Sequence, residues 1–370
     1  MNETIEIDTP LIEPATARAM DDAIAAQHAA EQPRGHMGMS AIGGPCDRLI
    51  WLKFRWSLPD TPAPRILRVF KVGHLLEQAM IDWLKSVPGI ELHTAGQDSK
   101  QINFKLFGGH FAGSLDGVIR GIPEAPKTWH VWECKTANTK RFADLCKTSI
   151  KEWAPEYWAQ VQCYMGSIGM DRALFTVINK DDSAIYTERV TYEPMAWDAL
   201  QARALHILDA DQPPAPTWKS PDDWQAKMKI NEGARGVYFG RELPAPNCRN
   251  CRHSSPIMSG DDAAWACSMH AVTLGTAQQI KGCEHHQYIT GLMPFESTGE
   301  TETGVGYKLP NGRVIANGGI ATDATFSSSE LYHLSKAGFP QEIMTATDVE
   351  VWRTEFGGRF VKGTFDGMPA

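Results

Sequence analysis

The sequence predicts an α/β fold in which a mixed central sheet is flanked by helices and followed by a cysteine-rich metal module and a C-terminal extension. Three observations predict it. Apolar residues recur at helical spacing between Ile66 and Leu84, the period shortens to that of strands between Gln101 and Lys135, and helical spacing returns at Pro155. An acidic residue and a Glu-x-Lys pair stand on successive predicted strands of that middle stretch. From about Asn231 to Gln287 the composition turns to Gly, Pro, Cys and His, which sets off the module.

Residues 1–35 form an alanine-rich appendage that favours helix. Four glycines between Gly35 and Gly44 predict a loop. A helix fits Cys46 to Trp56, and a second fits Ile66 to Leu84, where Phe70, Gly73, Leu76, Glu77, Met80 and Leu84 recur on one side. Gln101–Phe107, Phe111–Arg120 and Thr128–Lys135 read as three strands, turned by Gly108-Gly109 and by Gly121 to Pro126. Pro155 suits the first turn of a helix running to Ile168, because a proline there removes an N–H that has no helical partner. Ala173–Asn179 and Ala184–Tyr192 pair across Asp181-Asp182, and Met195–Leu208 returns to helix before Pro213-Pro214-Ala215-Pro216 breaks the pattern. The expected division is a core over 36–235, the cysteine-rich module over 236–290 and an extension over 291–370. That extension is rich in Gly, Thr and Ser, carries strand-like runs such as Gly312–Ala316, and shows no legible motif.

With 370 residues the chain has room for two or three domains, and 42% hydrophobic with 22% charged residues is an ordinary globular balance. No apolar run approaches the roughly 18 residues of a membrane span. The acidic N-terminus lacks the basic start and apolar stretch of a signal peptide, so a cytoplasmic location is expected. In that compartment the eight cysteines read as thiols or metal ligands. The formal charge of −8 argues mildly against a nucleic-acid partner. Local basic clusters argue the other way: Lys53 with Arg55, then Arg65, Arg68 and Lys71, then Lys140 and Arg141.

The chemistry concentrates at Val131-Trp132-Glu133-Cys134-Lys135. Side chains alternate along a strand, so Glu133 and Lys135 share one face while Trp132 and Cys134 take the other. Asp116 lies in the preceding predicted strand, within reach of one shared cation. Two carboxylates on rigid strands suit Mg²⁺, a hard cation that takes oxygen ligands and keeps several waters. Such an ion acidifies water and neutralises a phosphoryl oxygen, and Lys135 can position or deprotonate that water or neutralise the phosphate. Taken singly, Asp-Gly is an ordinary turn and Glu-x-Lys an ordinary surface ion pair. Their combination, in this order, is more specific.

The arrangement resembles the PD-(D/E)XK nuclease superfamily in its RecB-like exonuclease branch, which includes the CRISPR-adaptation nuclease and phage exonucleases. Cys46-Asp47-Arg48 resembles that branch's entry motif, Gly73-His74-Leu75-Leu76-Glu77 its helical glycine–histidine motif, Leu115-Asp116-Gly117 its first carboxylate, and Glu133-Cys134-Lys135 its second carboxylate and lysine. Gln160-Val161-Gln162-Cys163-Tyr164 matches its Gln-x-x-x-Tyr motif. The resemblance spans roughly residues 36–195. It implies a restriction-endonuclease-like fold in which Asp116, Glu133 and the Cys134 carbonyl hold Mg²⁺ or Mn²⁺. It implies that His74 adds a ligand or holds a metal-bound water, and that Lys135 serves the attacking water. Gln160 would orient Lys135 or contact DNA, and Tyr164, four residues on along the same helix, completes the catalytic set.

In the module, Cys248 and Cys251 form a C-x-x-C unit, and Cys267 and Cys283 follow at equal spacing of fifteen intervening residues. Four thiolates suit tetrahedral Zn²⁺, and a small loop-rich segment needs such a staple. An iron–sulfur cluster tying Cys46 to Cys248, Cys251 and Cys267 is the alternative that the resemblance raises, and His286 is an alternative ligand. Cys146 and Cys163 read as core or free thiols. The function that follows is Mg²⁺-dependent hydrolysis of DNA at its ends, in phage or bacterial recombination, repair or DNA processing, with a single-strand annealing or other recombination protein as a partner. An endonuclease of restriction or nicking type, and a non-catalytic DNA-binding scaffold, stand as alternatives.

Overall fold

The computed structural model describes residues 14–96, 100–302, 304–309, 312, 314–318 and 325–336. The rest of the predicted extension, 337–370, and the first residues of the appendage lie outside them, as does part of the strand-like run Gly312–Ala316. Among the described residues no helix is long and apolar enough to cross a membrane.

The appendage forms α1 (Ala15–Ala29), which has no buried residue and lies along α3. A short strand β1 (Met37–Gly38) precedes α2 (Asp47–Phe54), whose N-cap Cys46 accepts the Leu49 N–H at sulfur. Next comes α3 (Pro64–Ser86), then β2 (Glu91–His93), β3 (Asn103–Leu106), β4 (Phe111–Ser114), β5 (Gly117–Arg120) and β6 (His130–Ala137). Two short helices, α4 (Thr139–Leu145) and α5 (Ile150–Trp153), lead into α6 (Pro155–Ile168). As the sequence predicts, Pro155 opens α6; Gly169 closes it in the left-handed region at φ 71°. Then follow β7 (Arg172–Asn179), β8 (Ile185–Thr191), α7 (Pro194–Asp209), α8 (Trp224–Lys229) and α9 (Glu232–Tyr238).

Five strands form the central sheet in the order β2-β5-β6-β7-β8. It is mixed: β6 and β7 run parallel, and the other neighbours are antiparallel. Helix α3 covers one face, where Met80 and Ile81 pack with Ile119, Trp132, Cys134 and Leu174. The other face receives α6, whose Val161 and Tyr164 share a core with Val131, Phe175 and Val177. The alternation expected for β6 is thus realised, with both faces covered.

One expectation changes in a way that shapes the site. Phe111–Arg120 is not a single strand. β4 pairs with β3 and with β1 in a separate three-stranded sheet, while β5 joins the central sheet. The chain changes sheets at Leu115-Asp116, so Asp116 sits on a corner between strands rather than within one. Leu115 is fully buried and its N–H donates to the Ile102 carbonyl, which pins the corner.

The cysteine-rich segment adds a small sheet of β9 (Ser254–Pro256), β10 (Trp265–Cys267) and β11 (Val272–Leu274), followed by α10 (Thr276–Lys281). A last sheet joins β12 (Glu296–Thr301), β13 (Gly304–Lys308), β14 (Val314–Asn317) and β15 (Thr325–Phe326), before α11 (Ser328–Lys336). These segments share one hydrophobic core with the first half of the chain, through Trp265, Tyr288, Tyr307 and Leu331. The joint is specific. Trp265 lies 5.2 Å from Phe54, with the Arg55 guanidinium 5.0 Å and the Arg249 guanidinium 4.9 Å from its ring. Gly108, at φ 68°, turns against the same segment: a Cβ there would stand 2.2 Å from the Ile257 carbonyl oxygen.

Candidate active site

Glu133 and Lys135 emerge from the α6 face of β6, in register with Phe175 and Val177 of β7. The Glu133 carboxylate is only 1% exposed, whereas Lys135 is 22% exposed and reaches outward. Lys135 donates to Glu133 Oε1. Gln160, from the first half of α6, donates to the same oxygen at 2.9 Å and lies 2.8 Å from the Tyr164 hydroxyl. The other oxygen, Glu133 Oε2, is buried and has no hydrogen-bond partner among the described residues. A buried, unsatisfied carboxylate oxygen is costly unless something positive meets it.

Asp116 arrives from the sheet-changing corner. β5 pairs with β6 only up to Gly117 opposite Trp132, so from Glu133 onward that edge of β6 has no strand partner among the described residues. Asp116 fills the gap: its Oδ2 accepts the Cys134 N–H at 2.8 Å. The N–H and C=O of one strand residue point to the same side, so the Cys134 carbonyl opens toward Asp116 as well. On the neighbouring strand Gly113 leaves room for the Tyr164 ring, since a Cβ there would stand 2.7 Å from it.

From the opposite layer α3 presents His74, which is exposed, and Glu77, which is half-buried. Both act electrostatically on Asp116 or are acted on by it. Burial first, and then the Asp116 charge, pushes Glu77 up to about 7. Burial and Asp116 likewise push Glu133 up to about 8, against the pull of Lys135. Burial raises Asp116 too, while Lys135, the Cys134 N–H and His74 draw it back. For Lys135, burial alone would favour the neutral amine, but Glu133 and Asp116 together outweigh it and hold the ammonium above the ordinary lysine range. Three carboxylates therefore face one ammonium, and the site is short of positive charge.

The structure thus brings Asp116, Glu133, Lys135, Gln160 and Tyr164 together and places His74 beside Asp116. Two details differ from expectation. Gln160 holds Glu133 and Tyr164 rather than Lys135. Glu77 joins the site, although its sequence position reads as part of an apolar stripe. The legible signal was a carboxylate on the sheet-facing side of a helix, three residues after His74.

The donors fit a hard divalent cation: oxygen ligands, an orphaned buried carboxylate oxygen and a surplus of negative charge. Among the described residues no three His, Cys, Asp or Glu side chains stand together at metal-ligand spacing. Mg²⁺ does not need that, since it commonly takes one or two carboxylates and completes its shell with water and phosphate.

Cys248, Cys251, Cys267 and Cys283 line a second pocket, with His253 and His285 at its wall. The donor set has zinc chemistry, but the sulfurs do not close on a single point. Burial pushes Cys248 up to about 12 and Cys251 up to about 11, each further raised by the neighbouring cysteines. Cys46 does not belong to this group. Its sulfur lies 3.3 Å from the Tyr238 hydroxyl and caps α2, so the four-cysteine set built on Cys46 is not assembled. His286 borders the pocket, yet its Nε2 is engaged with Asn250 Oδ1 at 2.8 Å. Cys163 is buried and Cys146 exposed, both as free thiols.

No family model matches the chain, and no curated protein matches it. Among solved structures it is similar to an alkaline exonuclease from Laribacter hongkongensis, at 16% identity over 50% of this chain and 90% of that one, with a TM-score of 0.33. The same enzyme in complex with dAMP gives 16% identity, 52% and 90% coverage and a TM-score of 0.33. A phage-related exonuclease from Haemophilus somnus 129PT gives 16% identity, 36% and 66% coverage and a TM-score of 0.26. At such scores the fold and site rest on the topology and contacts above.

Proposed function

We propose that this chain is a Mg²⁺-dependent deoxyribonuclease that hydrolyses phosphodiester bonds at DNA ends. One observation carries the reading: buried Glu133 keeps an unpartnered Oε2 on the unpaired edge of β6, beside the Asp116 carboxylate and the Lys135 ammonium. Held by Asp116, Glu133 and the Cys134 carbonyl, with His74 and Glu77 on the α3 side, Mg²⁺ would neutralise phosphoryl charge and acidify water.

The protein's own groups account for the rest. Gln160 fixes Glu133 Oε1 and so leaves Oε2 for the cation. Tyr164, beside Gln160, holds that amide in place. Lys135 is an ammonium already bound to Glu133, so its chemistry is donation: it orients the attacking water or neutralises a phosphoryl oxygen rather than removing a proton. The covered strand faces keep bulk water behind the carboxylates, where electrostatic contacts are strongest.

The test is digestion of end-labelled linear duplex with Mg²⁺ or Mn²⁺, comparing wild type with Glu133→Gln and Lys135→Ala. Loss of cleavage in both variants is expected, and equal digestion by all three would refute the site. Closed-circular DNA should resist; cutting of circles would turn the reading to an endonuclease. We read the cysteine pocket as a structural Zn²⁺ site on its four sulfur donors. A broad absorbance band near ~400 nm in fresh protein would instead indicate iron–sulfur. An end-processing activity suits recombination or repair beside a single-strand annealing protein.

A further inference from the structure

The groups around Lys135 continue beyond the carboxylates. The Lys135 Nζ lies 5.3 Å from the centroid of the Tyr157 ring. The Tyr157 ring lies 5.9 Å from that of Trp153. The Arg141 guanidinium carbon stands 4.7 Å from the centroid of the Trp153 ring. Arg141 is exposed and the two rings are half-buried, so the row runs from the site to the surface. It is also rigid. The Trp153 indole N–H donates to the Arg141 carbonyl at 2.9 Å, and Asn138 caps α4 by accepting the Arg141 N–H.

The charges beside it are informative. Lys140 and Arg141 are exposed neighbours on α4 and make no ion pair among the described residues, in a chain whose formal charge is −8. Two nearby carboxylates are already engaged: Asp144 with Lys147, and Asp181 with Thr139 at the start of α4. Glu152, on α5, is the acidic neighbour. Lys151, equally exposed, is spent on Glu193.

We infer that Arg141, Trp153 and Tyr157 form a track for a single strand of nucleic acid leading to Lys135. This rests on the phosphodiesterase reading of the site. Adjacent aromatic rings flanked by a cation at each end suit a strand whose bases are unpaired. Each base offers a face to stack and each linkage a phosphate to neutralise, without sequence preference. A duplex hides its base faces and would use only the cations.

Fluorescence anisotropy with end-labelled (dT)20, its abasic counterpart and a 20-base-pair duplex, in Ca²⁺, tests the track. Trp153→Leu should weaken (dT)20 binding about tenfold and leave the abasic strand unchanged. Arg141→Ala should weaken both single strands and reduce the salt slope by about 0.7. Lys151→Ala should change neither. Trp153→Phe keeps a ring and should retain most affinity, which separates stacking from a folding defect. Wild-type (dT)20 affinity in Trp153→Leu and Arg141→Ala, equal losses on the abasic strand in Trp153→Leu, or a preference for duplex would overturn the track. The nuclease reading is scored separately: track-dependent binding without any hydrolysis by wild type sinks that reading alone, and hydrolysis with unaffected binding sinks the track alone.

Discussion

Two clusters of side chains, one of carboxylates with a lysine and one of cysteines, are built in opposite ways. Asp116, Glu133 and Lys135 are carried by a central sheet, with Gln160 and Tyr164 on a fourteen-residue helix packed against it. Their positions follow from strand register and from one change of sheet. Cys248, Cys251, Cys267 and Cys283 are carried by a turn of 3₁₀ helix, a three-residue strand and a loop. In the first cluster long elements covered on both faces hold the side chains, and three carboxylates face one ammonium. In the second, Cys248, Cys251 and Cys267 are buried, Cys283 is half-buried, and the elements that carry them are short. On the proposed reading, a cation would serve chemistry where the frame is rigid and order where it is not.

The largest effect that can break this contrast is catalytic. Glu133→Gln should reduce hydrolysis by at least about a thousandfold, in line with the loss of a principal electrostatic group. Its melting temperature should not fall, because burial raises the Glu133 carboxyl to about 8, so near neutral pH the amide replaces a largely neutral group of the same shape. A parallel loss of stability would mean that Glu133 is structural.

Next in size is the joint between the two regions. Trp265→Ala empties the space between Phe54, Arg55 and Arg249 and should cost about 3–5 kcal/mol, as for other buried aromatics. Denaturant unfolding would measure it. The loss should be the same with and without Mg²⁺, since the carboxylates lie elsewhere.

A third test concerns the thiols. Cys251→Ser should lower bound zinc, read by elemental analysis, and lower the melting temperature, while end digestion by the folded fraction persists. Unchanged metal content would remove the staple from the comparison.

The smallest effect expected is in pH. Glu77 and Glu133 have folded pKa values raised to about 7 and about 8 from an ordinary value of 4.5. The folded chain therefore binds more protons than the unfolded chain across that window, and metal-free stability should fall as pH rises through it. Lys135 is raised as well, but its contribution is complete throughout this range and is lost only above it. Adding Mg²⁺ should raise the melting temperature more at pH 8 than at pH 5. A stabilisation independent of pH would argue against cation binding at these carboxylates.

Much of this was legible in the chain itself. Period and punctuation place α3, α6, β7 and α7 nearly to the residue, because long amphipathic elements write their buried face into the sequence. Strand alternation puts Glu133 and Lys135 on one face of β6, whatever the neighbours. Four well-spaced cysteines announce a shared pocket. Tertiary structure alone decided the rest. The break at Leu115-Asp116 has a local hint in Gly113-Ser114 and Asp116-Gly117, but a turn there does not say that the chain changes sheets; that arises because β4 and β5 find partners in different sheets. Glu77 reads as one polar lapse in an apolar stripe until α3 is laid beside Asp116. Cys46 and His286 are plausible ligands by spacing, but competing partners, Tyr238 and Asn250, take them. The Glu133 and Lys135 side chains were therefore placed by local periodicity, while the charge balance around them and the edge that Asp116 meets were set by contacts between residues far apart in the chain.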